Sequence, residues 1–162
     1  MKEKKVLLMG NPNVGKSTVF NELTGMHQHT GNWTGKTVDS ADGNFYYKYN
    51  NYRLIDLPGT YSLIPSSEEE RVAGEYLLKE KYDCVVIVID STLLQRNLML
   101  FYQILEITNK VVVMLNLCDE AKKRNIEIDK NILSNLLGVP VIKATARSGK
   151  GINELLEEIH LI

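Results

Sequence analysis

The chain has 162 residues and a net charge of −1 at neutral pH, with 44% hydrophobic and 24% charged residues. This length is that of one domain, and the composition is ordinary for a soluble globular protein. The near-neutral charge gives no global reason to expect binding to nucleic acid or to an anionic membrane. No apolar run reaches the roughly 18 residues that cross a bilayer, and the charged start, residues 1–5, lacks the apolar segment of a signal peptide.

The first recognisable feature is a glycine loop at residues 10–18, directly after the apolar run at residues 6–9. It matches G-x-x-x-x-G-K-[ST] in full, and the run before it is long enough for a buried strand. Such a loop points backbone amides at an anion, and the helix that follows adds the positive end of its dipole. We expect Lys16 to reach the β- and γ-phosphates of a nucleotide and the Ser17 hydroxyl to ligate Mg²⁺. The predicted phosphate-binding residues are Gly10, Asn11, Pro12, Asn13, Val14, Gly15, Lys16, Ser17 and Thr18.

Predicted loops, helices and strands alternate along the rest of the chain. Residues 25–37 are polar and glycine-rich, which indicates a long functional loop. Residues 56–67 form a second irregular stretch, ending in serines that suit a helix N-cap. Helices are predicted at residues 17–24, 68–80, 94–108, 129–137 and 152–161, with a short helix and turn within 119–128. Strands are predicted at residues 6–9, 38–49, 52–55, 85–90, 111–115 and 139–143, the second and third joined by a turn at Asn50-Asn51.

The alternation of strands and helices predicts an α/β fold of three layers in a single domain, residues 1–162. We expect a mostly parallel sheet of six strands with one antiparallel edge strand and helices on both faces. Right-handed crossovers place the loops that follow parallel strands along one edge of the sheet, which is where such folds bind ligands. The two cysteines are far apart and lack metal-binding spacing, so a reducing compartment is expected.

The second motif, Asp56-Leu57-Pro58-Gly59, follows the strand predicted at residues 52–55. A carboxylate at the end of a strand beside a phosphate loop is suited to a magnesium site, so Asp56 is predicted to hold the ion, through a water molecule. The amide of Gly59 could donate a hydrogen bond to the γ-phosphate and register its loss.

The third motif, Asn116-Leu117-Cys118-Asp119, also follows a predicted buried strand. The carboxylate of Asp119 can accept hydrogen bonds from the ring N–H and the exocyclic amine of guanine, whereas adenine presents an acceptor in place of that ring donor. We expect Asn116 to connect this loop to the phosphate loop. The last motif contributes Thr145, Ala146 and Arg147, whose backbone amides are predicted to meet the guanine oxygen.

These four motifs, in this order, resemble the small GTP-binding proteins of the Ras-like class, which are P-loop NTPases. The loops at residues 31–38 and 56–63 resemble those of the N-terminal G domain of ferrous iron transport protein B, and the resemblance covers essentially the whole chain. It implies a source in bacteria or archaea and a place on the cytoplasmic face of the cell membrane. It also implies that this domain is a fragment of a longer transporter, followed by a helical regulatory domain and a membrane domain, with a possible homo-oligomer and no nucleic-acid partner.

The resemblance implies roles for further residues. Thr37 would ligate Mg²⁺ and contact the γ-phosphate in a segment that comprises Gly35, Lys36, Thr37 and Val38. Asn13 would hold K⁺ together with the backbone carbonyls of Gly31 and Trp33. The expected cofactors are therefore GTP or GDP, Mg²⁺ and K⁺, and the residues expected to be catalytic are Lys16, Thr37, Gly59 and Asn13.

Two positions depart from the Ras-like pattern. Thr60 stands where many GTPases carry the glutamine that orients the attacking water, so we expect slow intrinsic hydrolysis. Leu117 replaces the usual lysine of the guanine motif, so we expect weaker and faster-exchanging nucleotide binding.

The function expected from the resemblance is a GTP-hydrolysing switch that regulates or drives ferrous iron uptake. One alternative is a potassium-stimulated GTPase acting on ribosomes or transfer RNA, against which the near-neutral charge and the loops around Trp33 and Tyr61 argue. Another is a nucleotide-sensing module whose hydrolysis is incidental. An ATP-using P-loop kinase is a further alternative, which Asp119 opposes.

Overall fold

The computed structural model describes residues 2–162, which form seven strands, six α-helices and two short 3-10 helices. The strands are β1 (Lys4–Gly10), β2 (Gln28–Asn32), β3 (Asp39–Tyr47), β4 (Asn50–Asp56), β5 (Cys84–Asp90), β6 (Val111–Asn116) and β7 (Val141–Lys143). The helices are α1 (Lys16–Thr24), α2 (Glu68–Lys79), α3 (Leu94–Leu105), α4 (Cys118–Lys123), α5 (Lys130–Leu137) and α6 (Ile152–Leu161). None of the helices in this described part of the chain is long and apolar enough to cross a membrane.

All seven strands belong to one sheet, in the order β2-β3-β4-β1-β5-β6-β7. The strands from β4 to β7 pair in parallel, whereas β3 pairs antiparallel with both β2 and β4. The predicted α/β class and mostly parallel sheet are confirmed. The predicted count of six strands is wrong, and the antiparallel strand β3 is not at the edge, because β2 lies outside it.

The additional strand β2 lies inside the stretch that was predicted to be a loop. Its residues, Gln28–Asn32, are all exposed and show no alternation of apolar and polar side chains. The strand forms because its backbone pairs with β3, from Gln28 opposite Gly43 to Asn32 opposite Asp39. An edge strand of this kind has no apolar face to bury, so the hydrophobic pattern could not indicate it.

The turn between β3 and β4 also differs from the prediction. It lies at Lys48-Tyr49, whose φ angles are 43° and 66°, and not at Asn50-Asn51. Two positive φ angles are typical of the tight turns that match the twist of a hairpin. The Lys48 ammonium donates to Glu157 on α6 at 2.7 Å, so the tip of the hairpin is attached to the last helix.

The core consists of two apolar layers, one on each face of the sheet. In β1, Val6 and Leu8 pack toward α1 and α6, while Leu7 and Met9 pack toward α2 and α3. Side chains alternate between the faces of a strand, so a central strand covered on both sides is apolar throughout. This packing fixes the carboxyl ends of β1, β4, β6 and β7, where the four sequence motifs lie.

Local signals at the helix ends agree with the structure. Ser67 caps α2 by accepting from the backbone N–H of Glu70, and the Glu70 carboxylate accepts from the backbone N–H of Ser67 in return. Asp129 caps α5, which ends at Gly138 with a φ of 72°. The predicted serine cap of α2 is therefore confirmed, and α5 has an aspartate cap of the same kind.

Candidate functional site: a nucleotide cleft at the carboxyl edge of the sheet

The phosphate loop connects β1 to α1 and is packed closely against its neighbours at both glycines. A Cβ atom on Gly10 would lie 2.7 Å from the carbonyl oxygen of Val88 in β5. Gly15 has a φ of 88°, and a Cβ atom there would overlap the side-chain amide of Asn116. Both positions therefore require glycine. At Gly10 the reason is the close approach of β5, and at Gly15 it is the close approach of Asn116 together with the left-handed backbone.

Asn116, at the end of β6, connects three segments of the site. Its Nδ2 donates to the carbonyl oxygen of Val14 at 3.0 Å, and its Oδ1 accepts from the backbone N–H of Ala146 at 2.9 Å. Its own carbonyl oxygen accepts from the hydroxyl of Ser91 at 2.6 Å. The side chain is only 2% exposed, so these bonds are shielded from water. The predicted connection between the third motif and the phosphate loop is thus present.

A cleft of about 130 Å³ lies beside Asn116, at the third and fourth motifs. Its lining residues are Gly15, Thr18, Asn116, Leu117, Asp119, Glu120, Thr145, Ala146 and Arg147. Leu117 adopts a left-handed φ of 62°, which places Asp119 in the first turn of α4, and the N–H of Cys118 donates to the carbonyl oxygen of Ala144 at 3.1 Å. The structure thus assembles the residues that the sequence assigned to the base.

The carboxylate of Asp119 is not fully satisfied. Its Oδ2 accepts from Nη2 of Arg147 at 3.1 Å, whereas its Oδ1 is buried and has no hydrogen-bond partner among residues 2–162. A buried acceptor without a donor is unfavourable by about 1–3 kcal/mol, so this atom favours a ligand that brings a donor. Guanine carries such donors on one edge, and the residues present therefore fit a guanine nucleotide.

At the phosphate end of the site, Lys16 forms an ion pair with Asp56. The Lys16 ammonium also donates to the carbonyl oxygen of Leu57 at 2.7 Å. Burial raises the pKa of the Asp56 carboxyl above its ordinary value, and the adjacent Lys16 ammonium opposes this shift. The first and second motifs are therefore in direct contact, as a shared phosphate and magnesium site requires.

A second cleft, of about 430 Å³, runs along the phosphate loop. Its lining residues are Asn11, Pro12, Asn13, Gly15, Lys16, Ser17, Thr18 and Gly59. Gly59 lies against Pro12, since a Cβ atom on Gly59 would be 3.4 Å from the Pro12 backbone. Thr60 is 3% exposed, and its backbone N–H donates to the carbonyl oxygen of Gly10 at 3.1 Å. A buried Thr60 side chain does not present its hydroxyl to this cleft, so it offers no substitute for a water-orienting glutamine.

The segment at residues 33–38 connects β2 to β3 through a turn. The N–H of Trp33 donates to the carbonyl oxygen of Val38 at 2.9 Å. The N–H of Lys36 donates to the carbonyl oxygen of Trp33 at 2.8 Å. Thr37 is exposed on this turn. Trp33 is half-buried and meets the ring of Tyr76 edge-on at 5.3 Å. Trp33 therefore packs within the domain, against α2.

The residues assigned to K⁺ lie in different places in this structure. Asn13 is exposed, has a φ of 64°, and lines the cleft along the phosphate loop. Gly31 lies in β2 and lines a separate cleft with Asp56, while the carbonyl oxygen of Trp33 already accepts from Lys36. Thr37 lies on an exposed turn and lines neither of these clefts nor the base cleft. The clefts at the base and along the phosphate loop contain none of residues 31–37, whereas Gly31 shares its own cleft with Asp56.

Two features of the site were missed by the sequence analysis. Ser91, directly after β5, holds the carbonyl group of Asn116, and its only sequence signal is a small polar residue after a buried strand. The side chain of Arg147 pairs with Asp119, although only its backbone was assigned a role.

The phosphate loop, the Lys16–Asp56 pair and the base cleft define a guanine-nucleotide-binding G domain of the P-loop GTPase class. The family model described as ferrous iron transport protein B matches residues 4–159. The chain belongs to this family.

Similar proteins agree with this assignment. The chain is 41% identical over 162 residues to the Fe(2+) transporter FeoB of Campylobacter jejuni and 43% identical over 159 residues to that of Escherichia coli K12. These matches cover 100% and 96% of the chain but only 26% and 21% of the relatives. The chain therefore spans about a quarter of the length of the relatives that it matches.

Solved structures also match over nearly the whole chain. The G domain of the T. maritima FeoB iron transporter superposes with a TM-score of 0.94 at 45% identity, with 99% of this chain and 98% of that chain covered. The cytosolic domain of the same transporter in a GDP form gives the same TM-score and identity, with 63% of that chain covered. The FeoB G domain of Methanococcus jannaschii gives a TM-score of 0.88 at 42% identity.

Proposed function

We propose that this domain is a GTP-hydrolysing switch that regulates or drives ferrous iron uptake as part of a longer transporter. The observation that carries the proposal is that two binding surfaces are joined in one site. A base cleft holds an Asp119 oxygen without a hydrogen-bond partner within residues 2–162, and Asn116 connects this cleft to the phosphate loop. One ligand, a guanine nucleotide, satisfies both ends of this arrangement.

The proposed mechanism begins with positioning. Asp119 accepts from the guanine edge, while the amides of the phosphate loop and the start of α1 surround the phosphates. The Lys16 ammonium exchanges its contact with Asp56 for the β- and γ-phosphates. Electrostatic stabilisation of the transferring phosphoryl group is the main contribution that such residues make, because phosphoryl transfer requires little covalent chemistry from the protein.

Oxygen ligands suit Mg²⁺, and Ser17, Thr37 and Asp56 would hold it, where it would neutralise charge on the phosphates. The buried Asp56 carboxylate, with its raised pKa, is stabilised in its charged form by a nearby cation, so the site fits this ion. Thr37 lies on an exposed turn, and we propose that GTP binding brings this turn to the ion. Gly59 lies against Pro12 in the lining of the phosphate-loop cleft, and its amide would donate to the γ-phosphate.

Hydrolysis then releases the two segments that contacts to the γ-phosphate would order, residues 25–37 and 56–67. Order in such segments depends on contacts that disappear with the phosphate, which makes them a switch. The output passes to the helical and membrane domains that we propose for the complete polypeptide on the cytoplasmic face of the membrane. The low coverage of the curated relatives supports the existence of further domains.

The preference of the domain for one nucleotide over another tests whether Asp119 recognises guanine. In Asp119→Asn the carboxamide accepts one hydrogen bond and donates another, which matches the ring N–H and the 2-oxygen of xanthine but not the two donors of guanine. We expect this variant to bind GTP at least about tenfold more weakly, from the loss of one well-made polar contact, and to gain affinity for XTP. Equal hydrolysis of ATP and GTP by the wild-type domain would contradict the proposal.

We also propose that K⁺ stimulates hydrolysis through the amide of Asn13 and the carbonyl groups of Gly31 and Trp33. A monovalent cation beside the phosphates can offset charge that develops on the transferring group. This site requires residues 31–37 to approach Asn13, which GTP binding would bring about. GTP turnover is to be measured in KCl and in NaCl for the wild type and Asn13→Ala. Equal wild-type rates in both salts would remove the potassium site and leave the GTPase proposal intact.

The link to iron uptake is tested in a chimera. This chain replaces the matched region of Escherichia coli FeoB, to which it is 43% identical, and uptake of labelled Fe²⁺ is followed in cells. We expect uptake with the wild-type domain and a strong reduction with Thr37→Ala if hydrolysis drives transport. Full uptake by the Thr37→Ala chimera would favour a nucleotide-sensing role instead.

A further inference from the structure

The base cleft contains an ion pair that no sequence motif requires. The guanidinium of Arg147, on the 3-10 turn Ala146–Ser148, donates from Nη2 to Oδ2 of Asp119 at 3.1 Å. The Arg147 side chain is 79% exposed, whereas that of Asp119 is 28% exposed. The two residues lie 28 positions apart in sequence, so the fold creates the contact.

The two oxygens of Asp119 therefore differ. Oδ2 has a charged donor, and Oδ1 is buried without any partner in the described residues 2–162. Guanine brings two donors to such a carboxylate, the ring N1–H and the exocyclic 2-amino group. One donor can take the free oxygen, but the second has to share or displace the contact from Arg147.

We propose that Arg147 competes with the guanine base for Asp119 and thereby weakens nucleotide binding and speeds release. The proposal rests on the function assigned to this cleft above and adds a specificity-determining residue to it. Arg147 occupies the Asp119 oxygen that the second donor of the base would use. Hypoxanthine, which lacks the 2-amino group, needs only one carboxylate oxygen and therefore escapes the competition.

Competition explains the geometry better than support for Asp119 does. The backbone around Asp119 is already fixed by the left-handed Leu117 and by the hydrogen bond from Cys118 N–H to Ala144. The backbone position of Asp119 therefore does not depend on the arginine. The exposed guanidinium is also free to return to water when a base arrives, at little cost in desolvation.

The expected change in GDP affinity is small because the Arg147–Asp119 ion pair is partly exposed to solvent. Ion pairs of this kind change an equilibrium by about two- to fivefold, and salt screens them. A neutral side chain at position 147 should therefore tighten GDP binding by that factor at low salt. The difference should shrink as NaCl is raised, because screening already weakens the pair in the wild type.

Arg147→Gln is the variant to measure, with Lys150→Gln as the matched control. Lys150 is exposed on the same loop but does not line the base cleft, so its loss removes the same charge without touching the competition. Dissociation constants and release rates of GDP and inosine diphosphate are measured for all three proteins, with thermal melting to check that each is folded.

We expect Arg147→Gln to bind GDP about two- to fivefold more tightly than wild type and to release it more slowly. Its affinity for inosine diphosphate, and both affinities of Lys150→Gln, should match wild type. Weaker GDP binding by Arg147→Gln, or equal changes for the two nucleotides, would overturn the proposal. Failure of the wild type to bind either nucleotide would instead show that the assigned function itself is wrong, and this inference with it.

Discussion

The two ends of the nucleotide site are built in different ways. At the base end, Asn116 is 2% exposed and joins β6 to both the phosphate loop and the turn at Ala146. At the γ-phosphate end, β2 is exposed along its whole length and Thr37 lies on an outer turn. The base end is thus assembled by the fold, whereas the γ-phosphate end requires a ligand. This difference is what a switch needs, because only the second end can report which nucleotide is bound.

The largest effect on the preassembled end should come from Asn116→Ala. The change leaves the carbonyl group of Val14 and the N–H of Ala146 buried without partners. We expect a loss of about 2–4 kcal/mol in the free energy of unfolding, measured by urea denaturation, and a fall in GDP affinity on the order of a hundredfold.

Asn131→Ala, at an exposed position in α5, is the control for Asn116→Ala and should change neither quantity appreciably. If Asn116→Ala kept wild-type GDP affinity, the base end would not depend on this connection, and the contrast between the two ends would fail.

Thr37→Ala tests the γ-phosphate end. Thr37 is exposed and makes no side-chain hydrogen bond within residues 2–162, so stability and GDP affinity should stay at wild-type values. GTP turnover should fall by about tenfold to a hundredfold, because a group that contacts the transferring phosphoryl group is lost. Single-turnover hydrolysis measures this change, and Thr34→Ala on the same turn should hydrolyse GTP at the wild-type rate.

The smallest effect is expected where the second switch segment joins α2. Hydrogen bonds from Ser66, from its side chain first and then its backbone, hold the pKa of the Glu70 carboxyl below its ordinary value. A depressed pKa contributes stability that is present above the unfolded-state pKa and is lost as pH falls through the folded-state pKa.

Glu70→Gln should therefore be less stable than wild type near pH 7, and the difference should vanish in acid. Thermal melting from pH 7 to pH 3 gives the comparison, and the exposed Glu69→Gln in the same turn is the control. A Glu70→Gln deficit that persisted unchanged in acid would contradict the assigned role of the carboxylate.

The base and phosphate motifs could be predicted because each is a short run of residues with its own chemistry. Asn116 and Asp119 follow a buried apolar strand, and the connection from Asn116 to the phosphate loop was correctly expected. The sheet class was also readable, since β5 and β6 are buried along their whole length.

The parts that escaped prediction depend on contacts between distant residues. Strand β2 is formed by backbone pairing with β3 and has no apolar pattern of its own. The hairpin turn lies at Lys48-Tyr49, where pairing of Tyr47 with Asn50 and the contact to Glu157 override the local preference of asparagine for such turns. The pair of Arg147 with Asp119 likewise arises only once α4 and the last turn are brought together.

The most direct test of the contrast is amide hydrogen exchange of the domain without nucleotide, with GDP, and with a non-hydrolysable GTP analogue and Mg²⁺. We predict that residues 111–119 are protected even without nucleotide and that their exchange changes little when GDP or the analogue is added. Residues 28–38 and 57–67 should exchange rapidly without nucleotide and with GDP, and should become protected only with the analogue. Equal protection of these two segments in the GDP and analogue states would contradict the account, because the γ-phosphate would then order nothing.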